Sequence, residues 1–261
     1  MEQNLSKKTR TESDLIGSRE VPESALYGVQ TLRGIENFRI SKFHLNEYPL
    51  FIQALAITKM GAAVANRELD LLTEEQTDAI LRACKEILEG KHHEQFPVDM
   101  IQGGAGTTTN MNINEVVANR ALELMGHQRG EYQYCSPNDH VNRSQSTNDA
   151  YPTAIHIGLY YTHLKLVKHF EVLIEAFRKK GREFAHIIKM GRTQLEDAVP
   201  MTLGQTFNGF ASILEHEVKN LDFAAQDFLT VNMGATAIGT GITAEPEYAE
   251  KCIAALRKIT G

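Results

Sequence analysis

Residues 151–188, YPTAIHIGLYYTHLKLVKHFEVLIEAFRKKGREFAHII, decide the fold class. Ile155, Leu159, Thr162, Leu166, Phe170, Leu173 and Phe177 alternate gaps of four and three, the period of one helix face. Pro152 fits the first helical turn, where its missing N–H costs nothing. The period runs to about Ile188, a helix of roughly 55 Å at 1.5 Å per residue. A second long pattern follows Pro200, with Leu203, Phe207, Phe210, Leu214, Val218, Leu221, Ala225 and Phe228 on one face. Two long helices with seam-like spacing predict a helical bundle. A helix of that length exceeds a compact domain of this size, whose radius of gyration is about 18 Å. Burial against other subunits, and hence a homo-oligomer, is the expectation; a monomeric hairpin of helices is the alternative.

Outward from this stretch the pattern stays helical. Phe51, Leu55, Thr58, Ala62, Ala65 and Leu69 share one face, and Thr73-Glu74-Glu75-Gln76 has capping-box spacing for a second helix that Gly90 ends. A third helix fits Asn114 to Met125, with Gly126 as its stop, and a last one carries Cys252, Leu256 and Ile259. Strand signals are few. The first 48 residues read as turn-rich, with room for a short hairpin. The fold class is mainly α: an N-terminal, mostly helical domain, then the long helices of a central bundle. The turn cluster Ser136-Pro137-Asn138-Asp139 places the boundary ahead of the long helix, giving domains 1–143 and 144–261.

Composition removes several function classes. The 261 residues carry 27 Lys plus Arg against 33 Asp plus Glu, a net charge of −6, so no global electrostatic case for nucleic acid exists. Hydrophobic residues at 42% and charged residues at 23% are ordinary for a globular chain. No apolar run approaches the ~18 residues needed to cross a bilayer, so no membrane association is expected. Met1 to Asp14 has no apolar segment of a signal peptide. Three widely spaced cysteines, Cys84, Cys135 and Cys252, fit neither a disulfide framework nor a zinc cluster. The expected compartment is cytoplasmic. The pair His92-His93 reads as solvated surface, and no metal site is expected.

Three polar segments hold candidate chemistry. The first is Gly103-Gly104-Ala105-Gly106-Thr107-Thr108-Thr109-Asn110-Met111-Asn112, ahead of a helix. Its small residues and hydroxyls suit an anion at a helix N-terminus. No Lys-Ser/Thr follows the glycines, so it is not a Walker phosphate loop. A flexible Gly/Thr loop with Asn112 as N-cap explains it equally well. The second is Arg143-Ser144-Gln145-Ser146-Thr147-Asn148-Asp149-Ala150-Tyr151-Pro152, where capping alone is the competing explanation. The third is Gly191-Arg192-Thr193-Gln194-Leu195-Glu196-Asp197-Ala198-Val199-Pro200, on spacing alone a helix–helix connection. Uncharged hydroxyls and amides recur in all three. That composition suits orienting a small polyanion more than nucleophilic hydrolysis, and neither Gly-x-Ser-x-Gly nor His-Glu-x-x-His occurs.

At these segments the sequence resembles the aspartase/fumarase superfamily, and within it the aspartate ammonia-lyases. The likeness covers nearly the whole chain. Arg19-Glu20-Val21-Pro22, Tyr27-Gly28-Val29-Gln30-Thr31-Leu32-Arg33 and Ile35-Glu36-Asn37-Phe38 resemble the N-terminal segment. Gly106-Thr107 with Asn110-Met111-Asn112 and Asn114-Glu115-Val116 resembles the first substrate loop, Gln145 to Asp149 the second, and Gly191-Arg192-Thr193-Gln194 the third. The fumarate hydratases typically carry Ser-Ser-Asn, His and Asp-Ala-Thr-Pro where this chain has Ser146-Thr147-Asn148, Gln194 and Asp197-Ala198-Val199-Pro200. The run from Gly234 to Gly241 also looks more like an ammonia-lyase.

The resemblance implies reversible removal of ammonia from L-aspartate to give fumarate. It implies no cofactor, and a tetramer whose subunits share each site. Carried over residue by residue, Thr107, Ser146, Thr147, Asn148 and Thr193 bind substrate, Gln194 lines the site, and Arg33 is a further candidate whose alternative is a salt bridge. A base removes a Cβ proton, and fixed donors at helix ends stabilise the dianionic carboxylate that develops. The family's later loop, Gly-Ser-Ser-x-Met-Pro-x-Lys-x-Asn, supplies the base serine and is absent from these 261 residues. The expectation is therefore a truncated bundle, no C-terminal domain, the base serine downstream of residue 261, no turnover by this chain alone, and apolar helix faces left open. The alternatives are a fumarate hydratase of the same fold and an inactive helical assembly module.

Overall fold

The helix Pro49–Glu68 (α2) starts with Pro49 in its first turn and buries Ile52, Leu55 and Ala62. Around it the computed structural model describes residues 8–261; residues 1–7 of the polar N-terminal segment lie outside the described residues. The architecture is mainly α. The chain divides into two compact units, one running to Gly158 and resuming at Val231–Gly261, the other Leu159–Thr230. The boundary expected at 143/144 falls inside the first unit, at the turn ahead of the long helix. Among the described residues no helix is long and apolar enough to cross a membrane.

In the first unit, α2 packs against Glu74–Leu88 (α3) and the C-terminal helix Tyr248–Thr260 (α7), and α3 against Thr107–Leu124 (α4). The core joins Leu55 and Ala63 of α2, Ile80 and Ile87 of α3, and Ile113, Val117 and Leu122 of α4. The capping box at the start of α3 is present: Thr73 accepts from the Gln76 N–H, and the Gln76 side chain accepts from the Thr73 N–H. Gly90 and Gly126, with φ of 85° and 84°, close α3 and α4 in the left-handed region that a side chain disfavours.

Two N-terminal strands, Thr9–Asp14 (β1) and Gly17–Pro22 (β2), form an antiparallel hairpin, and Val29–Asn37 forms a helix (α1) that local pattern did not announce. Its first-turn N–H groups are capped from afar. Glu115 of α4 accepts from Gly28, Gln30 and Thr31, and Glu12 of β1 from Val29. Two buried carboxylates thus satisfy the donors that a helix start leaves open.

Several expectations need correction. The third helix begins at Thr107, not Asn114. Asn112 is no cap; it lies fully buried in the helix, its amide donating to the Gln95 carbonyl at 3.0 Å. Burial with partners overrides the poor helix propensity of Thr and Asn. The long helix α5 is Thr147–Glu183, so Pro152 stands inside it and not in the first turn. The carbonyl four residues back, on Asn148, accepts instead from Asn232 Nδ2 at 3.0 Å, which offsets the bond proline cannot make. His92 and His93 are not free surface groups: His92 bonds Glu86 at 3.0 Å and His93 the Ile87 carbonyl at 2.9 Å.

In the second unit, the rest of α5 pairs with Leu203–Ala225 (α6). Phe177 meets Phe207 and Phe210, Arg178 pairs with Glu215 at 2.7 Å, and His163 with Asp222 at 2.9 Å. Helix α5 stops at Glu183, short of the expected Ile188. The connection is an antiparallel hairpin, Ile188–Thr193 (β3) with Glu196–Thr202 (β4), where a plain helix–helix link was expected. Gln194 and Leu195 both have positive φ, 52° and 68°, the two-residue geometry whose twist matches a hairpin. Thr202 then caps α6 with Gln205.

Candidate functional site

The first two polar segments meet in the first unit. Gly106 has φ +89°, and a Cβ there would lie 2.5 Å from the Tyr151 ring, so the turn into α4 rests on the start of α5 through a residue without a side chain. A few residues on, Asn110 Nδ2 donates to Thr147 Oγ1 at 3.2 Å and to Asn142 Oδ1 at 3.1 Å. The N-termini of α4 and α5, each with the partial positive charge of a helix start, are tied together by side chains.

Each predicted residue has a definite place. Thr107 is exposed on the first turn of α4, its hydroxyl donating to the Gly104 carbonyl at 2.6 Å. Ser146 does act as a cap: its Oγ accepts from the Asn148 N–H at 3.2 Å, and its own N–H donates to Asp149 at 2.9 Å. Thr147 and Asn148 are not used that way. Thr147 accepts from Asn110, and exposed Asn148 donates its amide to the Ala237 carbonyl at 2.9 Å. Capping therefore accounts for part of the second segment only. Arg33, on α1, is held at the β1–β2 turn by Asp14 at 2.8 and 2.9 Å and by the Gly17 carbonyl at 2.7 Å. With Asp14, Gln30 and Thr108 it lines an open cleft of about 500 Å³. Thr193 and Gln194 stand in the second unit, at the tip of the β3–β4 hairpin.

The structure adds residues that sequence reasoning passed over. Buried Asp149 accepts from the backbone of Gly234 at 3.2 Å and Thr236 at 2.9 Å, bringing the Gly234–Gly241 run to the start of α5. Lys59, near the middle of α2, is buried beneath both segments. Its ammonium donates to Asn110 Oδ1 at 2.8 Å, Asn142 Oδ1 at 3.0 Å and Gln145 Oε1 at 2.8 Å. Burial pushes the ammonium down to about 7, with the Asp149 carboxylate acting in the opposite sense. The available signal was a single lysine inside the apolar run Ala54 to Ala65.

The family described as "Lyase" matches residues 17–261. The chain belongs to that lyase family. Among its relatives, the aspartate ammonia-lyase of Pseudomonas canavaninivorans is 56% identical over 97% of the chain and 53% of its own length. The solved structure of a fumarate lyase:delta crystallin from Brucella melitensis bound to cobalt superposes with TM-score 0.95 at 51% identity, over 97% of this chain and 55% of that one. The class II fumarase of Schistosoma mansoni superposes with TM-score 0.88 at 35% identity, over 97% and 53%. The chain thus spans about half the length of the curated relatives it matches.

Proposed function

We propose that the chain supplies the substrate-holding part of an aspartate ammonia-lyase, which interconverts L-aspartate with fumarate and ammonia. One observation carries the reading: two helix N-termini bearing Thr107, Ser146, Thr147 and Asn148 are joined side chain to side chain through Asn110. Uncharged donors fixed there hold carboxylates without neutralising them. When a base takes the Cβ proton, charge builds on the adjacent carboxylate, and donors already in place need no reorganisation to stabilise it. Thr193 and Gln194, at the β3–β4 tip, serve a site shared between copies of the chain, and Arg33 is a further candidate for it.

Subunit sharing fits this reading. In the second unit Val172 is 74% exposed, Ile213 61% and Phe223 83%, apolar area suited to burial between copies in a homotetramer. The residues 144–261 then open the central bundle, and the compartment is the cytoplasm. The base serine belongs to a segment that these 261 residues do not contain, so a polypeptide of these residues alone shows no turnover.

The test has two stages. First, the encoding gene is read past codon 261 for a Gly-Ser-Ser-x-Met-Pro segment. Then the whole product is assayed separately with aspartate and with malate, following fumarate by ultraviolet absorbance. Fumarate from aspartate supports the proposal; fumarate from malate alone assigns a hydratase instead.

A further inference from the structure

Lys59 is a long, charged side chain at 1% exposure, and no carboxylate is among its hydrogen-bond acceptors. An ammonium has three donors and no acceptor. All three go to amide oxygens, those of Asn110, Asn142 and Gln145. This fixes which way each amide is turned. With Oδ1 of Asn110 committed to Lys59, its NH2 faces outward, to Asn142 Oδ1 and Thr147 Oγ1. The remaining donors agree with this sense. The Asn142 amide gives to the Gln145 carbonyl at 3.3 Å, and the Gln145 amide to the carbonyls of Val141 at 2.9 Å and Arg143 at 3.1 Å. Asn110 is buried and Thr147 half-buried, so the polarity passes from the core outward.

We propose that Lys59 is a positioning residue. By turning the Asn110 amide it makes the Thr147 hydroxyl an acceptor toward the core, which leaves the hydroxyl proton for an anion bound at the start of α5. The consequence for ligand binding rests on the reading above, in which Thr147 holds a substrate carboxylate; the hydrogen-bond sense does not. Lys59 itself touches no substrate. A hydroxyl accepting from a charge-backed amide is also the better donor, because successive hydrogen bonds in one direction polarise one another.

Two experiments on the 261-residue chain separate the claims. A neutron structure of deuterated crystals reads the protons directly. It should show Asn110 Nδ2–D aimed at Thr147 Oγ1, and the Thr147 O–D directed away from Asn110. A Thr147 deuteron pointing to Asn110 overturns the assignment, whatever the protein binds. The second experiment is fumarate titration by calorimetry of the wild type, Lys59→Met, Asn110→Asp, Thr147→Val and the Lys59→Met/Thr147→Val double variant.

Asn110→Asp keeps a partner for the ammonium, so folding is preserved, but its second oxygen accepts from Thr147 and reverses that bond. Both Lys59→Met and Asn110→Asp should weaken fumarate by about tenfold or more, the size of one lost hydrogen bond to a charged group. In the Thr147→Val background Lys59→Met should add little. Equal effects of Lys59→Met with and without Thr147 make Lys59 merely structural and overturn the proposal. A wild type that binds no fumarate overturns the functional reading instead, and the neutron result then decides Lys59 alone.

Discussion

Asp149 and Thr236, 87 residues apart in sequence, are joined by a buried bond of 2.9 Å from the Thr236 N–H to the carboxylate. The same side chain takes the Gly234 N–H and, at the helix start, the Ser146 N–H. One carboxylate therefore both caps α5 and anchors the Gly234–Gly241 run beside it. Asp149→Ala leaves these buried donors unpaired, at about 2–4 kcal/mol in total. The expected outcome is a lower urea midpoint with faster hydrogen exchange at Gly234 and Thr236. Unchanged exchange at both amides contradicts the anchoring role.

Glu115 does the same for α1. It accepts from three backbone N–H groups of residues 28, 30 and 31 while buried in α4. Glu115→Ala should destabilise the chain by about 3 kcal/mol or more, since each buried donor left open costs about 1–3 kcal/mol. Glu115→Gln, which accepts through one oxygen only, should fall between. Chemical denaturation of the three proteins gives the order directly.

Gly106 is held by conformation and by contact. Alanine there needs φ near +89° and places Cβ against the Tyr151 ring. Gly106→Ala should cost about 2 kcal/mol or more, from strain and overpacking together. Adding Tyr151→Ala should return the part due to contact. A double-mutant cycle on thermal stability measures that recovery; strict additivity removes the claimed contact.

Acid should weaken the α3–α4 pairing in a defined window. The hydrogen bond from Arg120, at 2.6 and 2.9 Å, and His92 pull the Glu86 carboxyl down to about 2 against the raising effect of burial. In the unfolded chain a glutamate titrates near about 4.3. Below that value the unfolded state binds more protons than the folded one, so stability falls with pH from about 4.5 to about 2. Above this window the contribution is fully present. Glu86→Gln should flatten that fall in urea titrations at successive pH values. An identical slope in wild type and variant contradicts it.

Legibility in the sequence followed locality. Thr73 with Gln76, Gly90, Gly126 and the α2 stripe were all readable because cap, stop and period lie within a few residues of one another. Helix α1 was not readable, because its capping carboxylates arrive from Glu12 and from Glu115. The β3–β4 hairpin escaped because Gln194 and Leu195 lack the glycine or asparagine that usually marks such a turn. At the candidate site the surface hydroxyls and amides of Thr107 and Ser146 to Asn148 were visible as motifs. The layer beneath them, Lys59 and Asn142, was hidden, since a buried lysine among alanines has no periodic signature and is explained only by what folds onto it.

The central proposal is that Thr107, Ser146, Thr147 and Asn148, with Thr193 from another copy of the chain, hold one four-carbon diacid. Fumarate titrated into isotope-labelled chain, with each backbone amide followed by NMR, tests it most directly. The account predicts that the amides of all five residues shift on a single saturation curve, competed by succinate. Thr193 remaining still while the others move, or no saturable shift at any of them, would contradict it.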